Sequence, residues 1–222
     1  MGRLSPTAQH ELSSRGRRTE FPLGVTLLRQ GDRDMDVLLL ENVRAGPRAC
    51  VKITVTSETG DESLLGLRTS GDVVGELASV RHAPRSATVT TATATAVRRF
   101  TSAAFKAFRL TWPEAQDALA ATLGDRLTWS NNQRHEFMQY TVSVRLARVI
   151  AATAERFGSE THHGLDIGIP LSQREWGQLI GATEEAVRQA MRHLRRQAMI
   201  ENGRRQLVIT NRQLLRQYSS IT

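Results

Sequence analysis

The sequence predicts an α+β chain in three stretches: a small β-barrel or sandwich, one long helix, and a compact helical unit closed by a hairpin. Three observations carry that prediction. Short apolar runs cut by turn signals fill residues 21–100, three- and four-residue apolar spacing replaces them after Phe100, and an Asn-Gly pair stands between apolar runs near the C-terminus. The 222 residues, 40% of them hydrophobic, allow one or two domains with a real core and exclude a disordered chain. The expected boundaries are 1–112, 113–140 and 141–222.

Residues 1–20 are polar and basic and predict a short helix or loose tail. From Phe21 to Phe100 the turn signals are Gln30-Gly31-Asp32, Ala45-Gly46-Pro47, Thr59-Gly60-Asp61 and Ser70-Gly71-Asp72. Between them, Cys50 to Val55 alternates, with Val51, Ile53 and Val55 on one face, and Ser86 to Val97 alternates small apolar residues with threonine, as one strand would. Thr111-Trp112-Pro113-Glu114 starts a helix, with proline acceptable in its first turn. Leu119, Leu123, Leu127, Ser130, Arg134, Phe137 and Tyr140 then form a seam long enough to pair with a second copy, which is preferred to packing on the chain's own barrel. A further helix runs from Val142 to Phe157, followed by a turn-rich connector over Gly158–Gly168.

The C-terminal unit is the most explicit. Ser172-Gln173-Arg174-Glu175 has the capping-box form and opens a helix with Trp176, Leu179 and Ile180 inward. Gly181-Ala182-Thr183 makes a turn, and Thr183 caps a helix from Glu184 to Gln197 that buries Ala186, Val187, Ala190, Met191 and Leu194. Arg188, Gln189, Arg192, Arg195 and Arg196 stay outside. Ile200 to Ile209 then reads as a hairpin tipped by Arg204 and Arg205. Helix, glycine turn, arginine-faced helix and basic hairpin in that order describe a winged helix-turn-helix, whose second helix fits a major groove while the hairpin arginines reach phosphates. The first-turn acids have a plainer reading: Glu184 and Glu185 favour the helix dipole, and Glu184 can pair with Arg188 at i, i+4.

Charge agrees. The net charge is +8, nearly all of it from arginine. The first 139 residues carry 18 basic and 15 acidic residues, and the last 83 carry 12 arginines and 7 acids. A basic balance admits a polyanion without proving one. The lone Cys50 excludes an internal disulfide and an all-cysteine cluster, and His162-His163 is expected to be solvated loop. No nucleophile–base pair or metal cluster appears, so no catalytic residue, metal site or enzyme activity is expected. The longest aliphatic cluster, Val37–Leu40, is far short of a membrane span, and the N-terminus lacks a signal-peptide core, so a soluble cytoplasmic protein is expected.

The β region ends in Gly71-Asp72-Val73-Val74-Gly75-Glu76-Leu77-Ala78-Ser79-Val80-Arg81-His82-Ala83-Pro84-Arg85-Ser86-Ala87-Thr88-Val89. A buried cyclic phosphate needs a permanent cation, which Arg85 supplies bidentately, and Ser86 with the N–H groups of Ser86 and Ala87 completes an anion nest. Glu76 suits a ribose 2′-hydroxyl, and Gly75 lets the backbone approach closely. This stretch, Leu77 included, resembles the phosphate-binding cassette of cyclic-nucleotide-binding domains. With the C-terminal unit, it makes the chain similar to the Crp/Fnr family of transcription regulators from Phe21 to Ile209. The other reading of the cassette is structural, with Glu76 and Arg85 paired to one another inside the barrel.

The resemblance implies a jelly-roll-like cyclic-nucleotide-binding β-barrel over 1–112, a dimerisation helix over 113–140 and a winged helix-turn-helix DNA-binding domain over 141–222. Base contacts fall to Ser130 and Asn131, where the family commonly has Thr-Ser. Ser172, Thr183, Glu184, Glu185, Arg188, Gln189, Arg192, Arg204 and Arg205 fall to DNA. The family's Arg-Glu-x-x-x-Arg reading set corresponds to Glu184, Glu185 and Gln189, with only the middle residue retained and Arg188 as a displaced cation, so the usual half-site does not transfer. The implied effector is cyclic AMP, with cyclic GMP second, and no cofactor. The implied partners are double-stranded DNA, a second copy of the chain and RNA polymerase, with no membrane. Two alternatives stand beside this: DNA binding with no cyclic nucleotide, and a nucleotide-sensing module that does not bind DNA.

Overall fold

The computed structural model describes residues 3–203 and 206–220. The chain divides into two compact units, Met1–Glu62 with Gly66–Trp129, and Ser63–Leu65 with Ser130–Thr222.

In the first unit, helix α1 (Pro6–Ser14) is capped by the Ser5 hydroxyl, which accepts from the Ala8 N–H, and it buries Ala8 and Leu12. Strands β1 (Arg17–Phe21), β2 (Thr26–Leu28), β3 (Val37–Glu41), β4 (Cys50–Thr56), β5 (Glu62–Thr69) and β6 (Val73–Val74) follow. Helix α2 (Glu76–Arg81) interrupts them before β7 (Thr88–Thr91) and β8 (Thr95–Phe100). Helices α3 (Ser102–Thr111) and α4 (Pro113–Gln139) close the unit's order, although the last turns of α4 belong to the second unit. Two four-stranded sheets result, ordered β1-β8-β3-β6 and β2-β7-β4-β5. Leu28, Leu38, Leu40, Val51, Val74, Val89 and Val97, drawn from both sheets, share one core. This is the jelly-roll-like architecture expected.

β3 explains the Val37–Leu40 run. Leu38 and Leu40 enter the inter-sheet core, whereas Val37 and Leu39 join a second cluster with Leu12, Phe100, Phe105, Phe108, Ala115 and Leu119. A strand covered on both faces needs continuous apolarity rather than alternation.

Several expectations are corrected. The β region begins at Arg17, because β1 is a polar edge strand paired with β8 that gives no apolar signal. Ser86 to Val97 is two strands, not one. The chain breaks at Ala92–Ala94, where the Thr93 hydroxyl accepts from the Cys50 N–H at 2.8 Å and donates to the Arg48 carbonyl at 2.8 Å. Thr88, Thr91 and Thr93 of that repeat therefore satisfy backbone groups of neighbouring segments instead of facing water. α3 was not anticipated, and Thr111 ends it rather than opening α4. α4 is shared: Ala115 and Leu119 pack on the chain's own core, while Leu127 and Met138 are exposed.

In the second unit, α5 (Val142–Phe157) has the predicted bounds and buries Val144, Leu146, Ala147, Val149 and Ile150. The expected connector is instead a hairpin, β9 (Ser159–Thr161) and β10 (Gly164–Asp166), with the exposed His162-His163 at its turn. Helices α6 (Gln173–Ile180) and α7 (Glu184–Arg196) follow, then β11 (Ile200–Gly203), β12 (Gln206–Ile209) and α8 (Arg212–Ser219), the last also unanticipated. The sheet runs β11-β12-β10-β9, so β10 backs the basic hairpin. Its register pairs Gly203 with Gln206, which puts Asn202-Gly203 inside a strand rather than at the turn. Arg204 and Arg205 lie outside the described residues.

Candidate functional site

The cassette is built at the end of β6. Gly75 has φ +84°, open to glycine and costly for other residues, and a Cβ there would lie 2.5 Å from Arg85 Nη1 and 2.8 Å from the Asp36 carbonyl oxygen. The glycine is thus required both by its backbone conformation and by the arginine packed against it. α2 begins directly after it and buries Glu76, which is 2% exposed.

Arg85 is 3% exposed. Its position is fixed by paired backbone bonds, Arg85 N–H to the Asp32 carbonyl at 2.8 Å and Gly31 N–H to the Arg85 carbonyl at 2.9 Å. The guanidinium donates from Nε to Asp34 Oδ2 at 3.1 Å, from Nη1 to the Gly75 carbonyl at 2.9 Å, and from Nη2 to Asp34 Oδ1 and to the Asp36 carbonyl at 2.7 Å. Partial burial works to raise the Asp34 pKa. The hydrogen bonds and charge of Arg85 outweigh it, helped by the Asp36 N–H and the charge of Arg99, and hold the carboxyl below its ordinary range.

Glu76 does not meet Arg85. Its partner is Arg126 of α4, whose Nη1 donates to Glu76 Oε1 at 2.5 Å while Nη2 donates to the Val73 carbonyl at 2.8 Å. The structural alternative of a mutual Glu76–Arg85 pair is therefore not what the chain forms. Of the other expected ligand residues, Leu77 and Ser86 are exposed and Ala87 is half-buried. Ser130 and Asn131 lie on α4 in the second unit. Sequence reasoning missed Asp34, Asp36 and Arg126. The usable signal for Arg126 was helical spacing, since it stands four residues before Ser130 on the same face of α4. Asp34 and Asp36 carry no comparable signal, because in sequence they are indistinguishable from ordinary loop acids.

The second candidate surface is α7. Ser172 forms the full capping box of α6 with Glu175, and Gly181 ends that helix with φ +61°. A Cβ at Gly181 would strike the Phe137 ring at 2.7 Å, so the tight turn into α7 depends on glycine. Thr183 caps α7 by accepting from the Ala186 N–H at 3.3 Å. Val187, Ala190, Met191 and Leu194 are buried as expected; Ala186 is only half-buried because it lies at the helix's first turn. Glu184, Glu185, Arg188, Gln189 and Arg192 are all exposed along one helix. The anticipated Glu184–Arg188 pair is replaced by one centred on Glu185, with Arg188 at 3.1 Å, Arg192 at 3.8 Å and Gln189 Nε2 at 3.3 Å. Behind the turn, Arg145 donates to the Ile180 carbonyl at 2.7 Å and lies over the Phe137 ring, holding α5 to the helix-turn-helix.

Among the described residues no helix is long and apolar enough to cross a membrane, and no group of three or more His, Cys, Asp or Glu is placed to hold a metal ion.

Two family models match the chain: a cyclic nucleotide-binding domain over residues 18–111 and a Crp-like helix-turn-helix domain over 144–218. A CRP-like cAMP-activated global transcriptional regulator of Mycobacterium tuberculosis is 27% identical over 190 residues, covering 85% of this chain and 81% of that protein. The cAMP-activated global transcriptional regulator CRP of Escherichia coli is 25% identical over 192 residues, covering 86% and 88%. Among solved structures, FixK2 from Bradyrhizobium japonicum superposes with a TM-score of 0.74 at 18% identity, covering 94% of this chain and 99% of that one.

Proposed function

The chain belongs to the Crp/Fnr family of transcription regulators, and from that premise we propose that it is a homodimer whose affinity for DNA is set by cyclic AMP. One observation supports the effector most directly: Arg85 and Glu76, a cation and an anion each almost wholly buried, sit at the two ends of one short cassette. Arg85 takes the cyclic phosphate, with Ser86 and Ala87 completing the anion nest, and Glu76 takes the ribose hydroxyl beside Gly75 and Leu77. The assignment of Ser130 and Asn131 to the base rests on the resemblance alone.

By role the chain divides into the ligand-binding residues 1–112, the dimerisation helix 113–140 and the DNA-binding residues 141–222. Exposed apolar side chains on α4, Leu127 and Met138 among them, support pairing with a second copy. α7 enters the major groove, with Glu185, Arg188, Gln189 and Arg192 reaching base edges and phosphates, and Ser172, Thr183, Arg204 and Arg205 reaching the backbone. Cyclic AMP acts only through its differential affinity for two arrangements of the dimer. The protein works in the cytoplasm, presents bound DNA to RNA polymerase, and catalyses nothing.

Selection of bound duplexes from a random pool, with and without cyclic AMP, tests this. The expected product is a palindrome with half-sites about one helical turn apart, roughly 34–36 Å, enriched only when cyclic AMP is present. Equal enrichment without the nucleotide would remove the effector, and no enrichment in either arm would remove the DNA function. Cyclic GMP in a third arm separates the two effectors.

A further inference from the structure

We propose that Asp34 is an affinity-determining residue of the effector site, a tethered carboxylate that competes with the ligand's phosphate for Arg85. The inference rests on the cyclic-nucleotide reading and adds to it a residue outside the Gly71–Val89 cassette.

The donor inventory carries the argument. A guanidinium has five N–H groups, and four of those on Arg85 are engaged by Asp34, Gly75 and Asp36. Two of the four acceptors are backbone carbonyls, fixed by β3 and by the Gly75 turn. The other two are the oxygens of one carboxylate, and they take Nε and Nη2 together, the parallel pair that would otherwise grip a phosphate bidentately. A phosphate monoanion can use that edge only when Asp34 has left it. The two partners differ in freedom. The Arg85 side chain is 2% exposed and the Asp34 side chain 44%, so Asp34 is the member that can swing into water, and the incoming phosphate replaces it as counter-ion to the buried guanidinium. Asp34 also lies in the irregular segment between Gly31 and β3, held there by the Asp36 N–H donating to Oδ1 at 3.2 Å.

The competitor is intramolecular, so its effect does not dilute. The apparent dissociation constant for cyclic nucleotide equals the intrinsic one divided by the fraction of molecules in which Asp34 has released Arg85. Removing the carboxylate raises that fraction and also removes an anion from beside the incoming phosphate. Both effects act in the same direction.

Calorimetric titration of cyclic AMP into the wild type, Asp34→Asn and Asp34→Ala, with a thermal melt of each, tests the assignment. The expected result is binding about tenfold tighter in both variants, the change for a competent state populated in roughly one molecule in ten. Binding by the variants alone would make the case in its strongest form. Equal or weaker binding in folded variants would overturn it, because a residue that merely props Arg85 in place loses affinity when removed. Absence of heat from all three proteins would instead remove the cyclic-nucleotide reading, and this inference with it.

Discussion

The arginines of the cassette and of α7 are the same residue in opposite circumstances. Arg85 is enclosed, with its donors committed to a carboxylate and two carbonyls of its own chain. Arg188 and Arg192 stand roughly half-exposed and share one carboxylate, Glu185, itself exposed. An exposed pair of that kind contributes little and is readily exchanged for a DNA phosphate or base, whereas a buried guanidinium is costly to leave unpaired. The first site is therefore built into the fold and selective. The second is an available surface, and its internal ion pairs keep the helix from being uniformly positive.

The largest test of that contrast is Arg85→Leu. Cyclic AMP binding should vanish by calorimetry, and the stranded Gly75 and Asp36 carbonyls should lower stability by about 2 kcal/mol, read as a fall in Tm. A variant that melts like the wild type would show that Arg85 is not part of the fold. Arg188→Ala with Arg192→Ala should do the reverse. Stability should stay within about 0.5 kcal/mol of wild type, while duplex affinity falls and the salt dependence flattens by about one unit of slope for each arginine that no longer neutralises a phosphate. Undiminished DNA binding by this double variant would move the interface off α7. The smallest effect concerns acid. The folded pKa of Asp34 is depressed, so its contribution to stability is present above the ordinary value of 3.8 and is lost as pH falls from there through the depressed value. Acid unfolding of Asp34→Asn should lack that component, and identical acid limbs would show the pairing to be energetically silent.

Legibility followed the reach of each signal. Local signals were read well: the capping box at Ser172, the glycine turn at Gly181 and the bounds of α5 depend on residues within a few positions of one another. α3 and α8 were missed although Thr101 and Asn211 cap them locally. Another part of what was missed depends on residues distant in sequence: β1 is defined by its pairing to β8, and the break after Thr91 by Thr93 bonded to Cys50 of β4 and to Arg48. The same holds at the site. Gly75, Glu76 and Arg85 were found as members of one contiguous cassette, but the residues that hold them, Asp34 and Arg126, lie 51 and 50 positions from their partners. No local pattern encodes such pairs.

The four consecutive apolar residues of β3 would be equally content after a slip of one position, since each face would still receive hydrocarbon. Hydrophobicity alone thus leaves this strand without an address. The address is written at its ends: Asp36 pairs with Arg99 at 3.1 Å and Glu41 with Arg98 at 2.7 Å, both partners on β8. Displacing the strand by one residue would mismatch both bookends together. Asp36–Arg99 is partly exposed and Glu41–Arg98 mostly buried, and together they favour one of the two nearly equivalent alignments. With that choice they set where the Asp36 carbonyl stands beneath Arg85.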